Sequence, residues 1–478
     1  MTARVIMVQG TASHVGKSVL VTALCRILRQ DGFRVAPFKA QNMSNNSYVT
    51  PEGGEIGRAQ AAQAEAAGVE PSVQMNPVLL KPEADSRSQV VLLGKPLVTA
   101  SAREYYGMKT RLWEVVTRSL DSLRSRYDVV VVEGAGSPAE VNLRENDIVN
   151  MRVARHANAP VLLVADIDRG GVFASLIGTM DLLEPEERAL VRGLVVNKFR
   201  GDPSLFTSGV AFLERRTGVP VAGVLPYYRE IRIPEEDSVA LEQRPAPRPA
   251  VLDVAVVRLP RISNFDDVDP LAREPAVSLR YVESADELGS PDLVIIPGSK
   301  STVADLDWLR RTGVAEGIEA LARRGTAVIG ICGGYQMLGR RILDPSGAES
   351  PVGESDGLGL LRVTTTFAVT KQTHRVRASV LPPSMGLLSG VDTPDACEVM
   401  GYEIHMGHTA REEDERPAFR LLERSGAPSE ELDGAVSESG WVLGCYIHGL
   451  FHNGPLRGAL VRTLCERKGV PLPRPRVA

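Results

Sequence analysis

The chain has 478 residues, 43% hydrophobic and 24% charged, with a net charge of −4 at pH 7. These are ordinary values for a soluble globular protein of two or three domains, and the acidic balance gives no electrostatic case for nucleic acid or an anionic membrane. The five cysteines (25, 332, 397, 445 and 465) are odd in number and lack C-x-x-C spacing, and no stretch approaches eighteen uncharged apolar residues, so a disulfide framework, a zinc site and a membrane span are not indicated and a reducing cytoplasm is expected.

From the N-terminus, short β-branched runs alternate with helical patterns: RVIMV (4–8), VLVTALCRILRQDG (19–32), RVAPF (34–38) and IGRAQAAQAEAAG (56–68). That alternation predicts βαβ units around a parallel sheet. YDVVVVEG (127–134), APVLLVADID (159–168), GLVVNK (193–198) and PVAGVLP (220–226) continue it, apolar throughout, as strands buried on both faces are. The segment 233–250, IPEEDSVALEQRPAPRPA, is rich in Pro and charge and predicts a boundary. A second α/β series follows at 251–260, 291–302, 325–334 and 441–451, closed by a helix at 455–469. The predicted fold class is α/β: a P-loop parallel-sheet domain at 1–235, a linker at 236–250 and a second α/β domain at 251–478.

VQGTASHVGKSVLVTAL (8–24) follows the first strand and opens the first helix, the context a phosphate-binding loop requires. Loop and helix N–H groups from Gly10, Thr11 and Gly16 onward can cradle phosphates, Lys17 can reach the outer ones, and the Ser18 hydroxyl can ligate Mg²⁺. The usual glycine position holds Thr11, and Gly10 stands one residue early. Glu133 ends VVVEGAG, where an acid can hold Mg²⁺ or its waters. Asn197 ends another strand as a candidate nucleotide contact, although N-K-x-D is incomplete, with Arg200 in last place. Lys39, just after the second strand, is a candidate for charge near a transferred phosphoryl group; a solvated surface lysine is the competing reading.

GICGGYQMLG (330–339) places Cys332 on a tight strand-to-helix turn between Gly330 and Gly334, the pattern of a nucleophile elbow. The following helix N-terminus favours the thiolate. His448, after the apolar run WVLGCYI, is a proton partner in the same α/β series. N–H groups of Gly298, Ser299 and Gly333 are candidates for an oxyanion hole. The other cysteines read as small buried hydrophobes. His405 and His408 have metal-pair spacing but no evident third ligand, so no protein-bound zinc is expected, and His405 is assigned to an interdomain interface or the pocket around Cys332. The cluster Asp266, Asp267 and Asp269 reads as a solvated or capping loop.

On these residues the second half resembles a class I glutamine amidotransferase domain, with Cys332 as nucleophile and His448 as base. Most such domains carry a glutamate two residues after the histidine, and here Leu450 stands there, as in the cysteine–histidine branch. The GT-x-x-x-x-GKS loop resembles the dethiobiotin synthetase branch of P-loop proteins. Segments 37–50, 76–94, 259–271 and 401–409 resemble the cobyric acid synthase family, a likeness that spans nearly the whole chain. It implies amidation of the b, d, e and g carboxylates of adenosylcobyrinic acid a,c-diamide, with glutamine and ATP as co-substrates and Mg²⁺ as cofactor. It leaves Gln41, Asn42, Asn45, Asn46 and Lys81 as polar candidates for substrate contact. Two alternatives remain at this point: amidation of other carboxylates, including the a and c positions, and a P-loop switch carrying an inactive amidotransferase scaffold.

Overall fold

The computed structural model describes residues 2–84, 87–228, 233–234, 249–382, 385–391, 393 and 397–473. Most of the 236–250 linker therefore lies outside the described residues. The chain divides into two compact units, Met1–Ser44 with Gly54–Glu236, and Asn45–Gly53 with Asp237–Ala478. The units are not consecutive in sequence, because Asn45–Gly53 groups with the second.

In the first unit six strands form a parallel sheet in the order Val221–Pro226, Val191–Phe199, Val161–Asp166, Arg4–Gly10, Val129–Glu133, Val35–Phe38. Val129–Glu133 is buried at every position and Arg4–Gly10 nearly so, because helices cover both faces. The helix Lys17–Gln30 leaves the C-terminal end of Arg4–Gly10, and Glu133 ends the neighbouring strand. A four-stranded sheet, Gln41–Met43, Val78–Ala84, Arg87–Leu92 and Lys95–Ser101, precedes the long helix Ala102–Arg126. A capping box between Ser101 and Glu104 starts that helix.

The second unit repeats the α/β plan with Val277–Val282, Leu252–Val257, Leu293–Ile296, Ala327–Ile331 and Val442–Cys445 in parallel, and Ala435–Val436 antiparallel at the edge. The unit also holds a mixed sheet built on the long antiparallel pair Val363–Val380 and Glu398–Arg411, with Arg341–Leu343 parallel to the first of them. Ala327–Ile331 is central and wholly buried, so the turn that follows it rests on a rigid base. Among the described residues no helix is long and apolar enough to cross a membrane.

Candidate functional site

Cys332 sits between Ala327–Ile331 and the short helix Gly333–Leu338 with φ 53° and ψ −107°. A side-chain-bearing residue adopts such a positive φ only under constraint. The constraint is visible on both sides: the Cys332 N–H donates to the Cys445 carbonyl at 2.8 Å, and the flanking glycines are pressed against backbone. A Cβ on Gly334 would lie 2.0 Å from the Ile296 carbonyl oxygen, and one on Gly330 would lie 2.6 Å from the Gly334 carbonyl oxygen. The G-x-C-x-G spacing thus reflects close packing of the turn. A Cβ on Gly333 would meet the Ser299 nitrogen at 2.8 Å, so the backbones of Gly333 and Ser299 lie side by side. Ser299 is tied down by donating its hydroxyl to Asp305 at 2.6 Å.

The Cys332 thiol donates to the Ile404 carbonyl at 3.3 Å, and its sulfur interacts electrostatically with the His448 ring. His448 is 1% exposed, and its Nδ1 lies 2.7 Å from Asp267 Oδ2. The other Asp267 oxygen accepts the Gly449 N–H at 2.7 Å. A carboxylate only accepts, so Nδ1 carries the proton and Nε2 is left for the thiol. Burial opposes charging of the ring, but the Asp267 carboxylate and the Cys332 sulfur outweigh it and push His448 up to about 10. Tyr402 stacks on the ring at 5.4 Å between centroids, and its hydroxyl accepts from Asn264 at 2.9 Å.

The acidic loop at 264–269 therefore differs from the sequence expectation. Asp266 and Asp267 are buried, and Asp267 faces His448 instead of solvent. Leu450 lies in a turn of 3₁₀ helix and is buried. The carboxylate missing at that position comes from a loop 181 residues before His448. No local spacing announces such a partner; the signal in the sequence was the unmet need of His448 for an acid, with an acidic cluster in the same half of the chain. His405 is buried and His408 exposed, so the pair does not converge. Among the described residues there is no group of three or more His, Cys, Asp or Glu that could hold a metal.

At the phosphate loop, Gly16 has φ 102°, and a Cβ there would lie 2.2 Å from the Asn197 amide nitrogen. Asn197 Nδ2 donates to the Val15 carbonyl at 2.8 Å, so this residue braces the loop from the strand Val191–Phe199, two places along the sheet from Arg4–Gly10. A Cβ on Gly10 would press on Val15 at 2.6 Å and on Lys17 Nζ at 3.0 Å. Lys17 curls over the loop, donating to the carbonyls of Ala12 (2.9 Å) and Gly136 (3.0 Å). The Ser18 hydroxyl donates to Glu133 Oε1 at 2.9 Å, Lys39 pairs with the same oxygen at 2.9 Å, and Gln63 donates to Oε2 at 2.5 Å. Lys39 is buried, not solvated. A hydroxyl and a carboxylate converging at a helix N-terminus are the hard oxygen donors that Mg²⁺ accepts, so Ser18 and Glu133 fit the metal of a magnesium nucleotide.

The remaining candidates fall into two groups. Gln41, which accepts from the Tyr105 hydroxyl, Asn42, which donates to Gln60 at 3.0 Å, and Lys81, ion-paired with Glu55, lie on the small sheet of the first unit. Asn45 and Asn46 belong to the segment that groups with the second unit, where the Ser47 carbonyl accepts from Asn264 at 2.9 Å.

Comparison with known proteins matches both halves. Residues 6–240 match the CobQ/CobB/MinD/ParA nucleotide binding domain, and residues 253–456 match the CobB/CobQ-like glutamine amidotransferase domain. Cobyric acid synthase of Sorangium cellulosum is 57% identical over 480 residues, covering 98% of this chain and 92% of that protein. The namesake proteins of Dehalococcoides mccartyi (92% of its length) and Pelotomaculum thermopropionicum (89%) are each 55% identical over 98% of this chain. Among solved structures, PurLQS from Thermotoga maritima matches 45% of this chain and 98% of its own at 19% identity, with a TM-score of 0.34.

Proposed function

The chain belongs to the cobyric acid synthase family, and from that premise we propose that it amidates the b, d, e and g carboxylates of adenosylcobyrinic acid a,c-diamide to give adenosylcobyric acid. Glutamine supplies the nitrogen and ATP activates each carboxylate.

In the amidotransferase unit, His448, held in its charged form, keeps on Nε2 the proton drawn from Cys332, and the sulfur adds to the side-chain amide carbon of glutamine. The resulting oxyanion is held by N–H groups of Gly298, Ser299 and Gly333. His448 returns its proton to the departing nitrogen, ammonia leaves, and water attacks the glutamyl thioester with His448 again as base. Asp267 holds the imidazole in the required tautomer and stabilises its charged form, as the acid of a hydrolase triad does.

Ammonia cannot displace hydroxide from a carboxylate, so the oxygen must first become a leaving group. At the loop from Gly10 to Ser18, the γ-phosphoryl of ATP passes to a substrate carboxylate, and ammonia then displaces phosphate from the acyl phosphate. The protein's part is to position reactants and neutralise charge, which falls to Lys17, Ser18, Glu133 and Lys39. Ser18 and Glu133 would hold magnesium, which would supply charge neutralisation at the phosphates. Gln41, Asn42, Asn45, Asn46 and Lys81 are the proposed contacts for substrate carboxylates.

The observation that carries this reading is the buried Cys332–His448–Asp267 series in a chain whose other unit presents Lys17, Ser18 and Glu133 at a phosphate loop. It weighs against a switch with an inactive scaffold, a reading kept alive by Leu450. The test is mass spectrometry of the a,c-diamide incubated with protein, ATP, Mg²⁺ and glutamine. Each amidation replaces OH by NH₂, and the expected product has lost that difference at the b, d, e and g positions. ATP consumption with no change in corrinoid mass would overturn the substrate assignment.

A further inference from the structure

His405 is a titratable group that the reaction above does not use, and it follows Ile404, whose carbonyl meets the Cys332 thiol. It lies on the strand Glu398–Arg411 between two residues whose carbonyls serve the elbow. Ile404 accepts the Cys332 thiol at 3.3 Å, and Met406 accepts from Gln336, on the helix after Cys332, at 3.0 Å. The ring stacks on Tyr446 with 3.7 Å between centroids and 16° between planes. The Tyr446 hydroxyl in turn accepts from Gln336 at 3.2 Å.

The ring is fixed in tautomer as well as in position. Its Nδ1 lies 3.2 Å from the Gly407 carbonyl, which only accepts, so Nδ1 carries the proton and Nε2 is a bare acceptor. The Gly407 carbonyl is aimed by a device of the backbone: Gly407 has φ 87° at a register shift between Thr366 and Lys371, and a Cβ there would lie 2.7 Å from the Thr366 oxygen. Such bulges re-aim groups next to sites. Burial, followed by the nearby Arg424 charge, holds the imidazole down at about 3, so it is neutral throughout the working range. Nε2 has no hydrogen-bond partner among the described residues, although the residue is only 9% exposed.

We propose that His405 reads the side-chain amide of glutamine at Cys332: its Nε2 accepts an amide N–H, a group that the product glutamate lacks. The lone pair that welcomes the amide faces a carboxylate with a second acceptor, which favours departure of product. This inference rests on the reading of Cys332 as a glutaminase nucleophile.

The test compares His405→Phe, which keeps a stacking ring without the acceptor, with His405→Gln, whose amide oxygen reaches to the Nε2 position. In glutamine hydrolysis His405→Phe is expected to raise KM about tenfold, the loss of one hydrogen bond, and to be inhibited by glutamate at lower concentration than wild type. His405→Gln recovers most of the KM. Alkylation of Cys332 by iodoacetamide keeps the wild-type rate in both, which a merely structural role for His405 would not allow. An unchanged KM in His405→Phe, no recovery in His405→Gln, or alkylation slowed in parallel with turnover would overturn the proposal. A wild-type protein that does not hydrolyse glutamine would overturn the reading of Cys332 itself, whereas wild-type turnover with an unaltered His405→Phe sinks this inference alone.

Discussion

At the residue scale, the catalysis proposed at Cys332 turns on Asp267. The carboxylate is 2.7 Å from His448 Nδ1 and raises the imidazole to about 10. Asp267→Asn keeps the shape and removes the charge, so glutamine-dependent turnover is expected to fall about 10²–10⁴-fold, the range for a miscast triad acid. Ammonium-dependent amidation persists, and steady-state rates with the two nitrogen sources check both halves of the statement. The pair also links to stability. The folded value for His448 lies above the ordinary 6.5, so its contribution is complete below pH 6.5 and is lost as pH rises through about 10. The difference in Tm between wild type and Asp267→Asn is therefore expected to narrow from pH 6 to about 10, as calorimetry across that window would show. In the other unit, Glu133→Gln removes the carboxylate that pairs with the buried Lys39 ammonium at 2.9 Å. A stability loss of about 3–5 kcal/mol is expected, together with loss of ATP-dependent amidation from glutamine and ammonium alike.

At the element scale, the two phosphate- and thiol-bearing turns were readable because each follows a buried parallel strand. Such strands read as unbroken apolar runs, and the punctuation after them, Gly16-Lys17-Ser18 and Gly330 to Gly334, has few other uses. Element ends fell within a few residues of the expected ones, as with the strand 4–8 against Arg4–Gly10 and the helix 455–469 against Gly454–Lys468. The antiparallel strands were not legible. Val363–Val380 mixes Thr, Lys, Gln, His and Arg and is half exposed along much of its length, so it has neither an apolar run nor a clean alternation. His405 lies on the partner of that strand, opposite the bulge, so the sequence offered the pocket around Cys332 only as one of two places for it and gave no sign of the register shift that fixes its ring. The elbow itself is testable. Gly334→Ala places a methyl group 2.0 Å from the Ile296 carbonyl, with parallel pairing fixing the backbone on both sides. A loss of about 1–3 kcal/mol is expected for such overpacking, read as a lower urea midpoint at unchanged slope.

At the scale of the whole molecule, the two activities lie in compact units that the chain does not build one after the other. Apolar patterning marks where a strand or helix runs, but it does not say which core a short polar segment joins. Asn45–Gly53 is such a segment, and its place in the second unit follows from contacts such as that of Tyr48 with Tyr402, 5.1 Å apart between ring centroids. The same limit hid Asp267, whose partner is remote in sequence. The central claim is that nitrogen is released at Cys332 and consumed in an ATP-dependent amidation by the same chain. Its most direct measurement is mass spectrometry of the corrinoid a,c-diamide after incubation with ATP, Mg²⁺ and isotope-labelled glutamine or unlabelled ammonium, for wild type and Cys332→Ala. The expected result is labelled amides from glutamine in wild type only, and unlabelled amides from ammonium in both proteins. Labelled amides formed from glutamine by Cys332→Ala, or no amides from ammonium in either protein, would contradict the account.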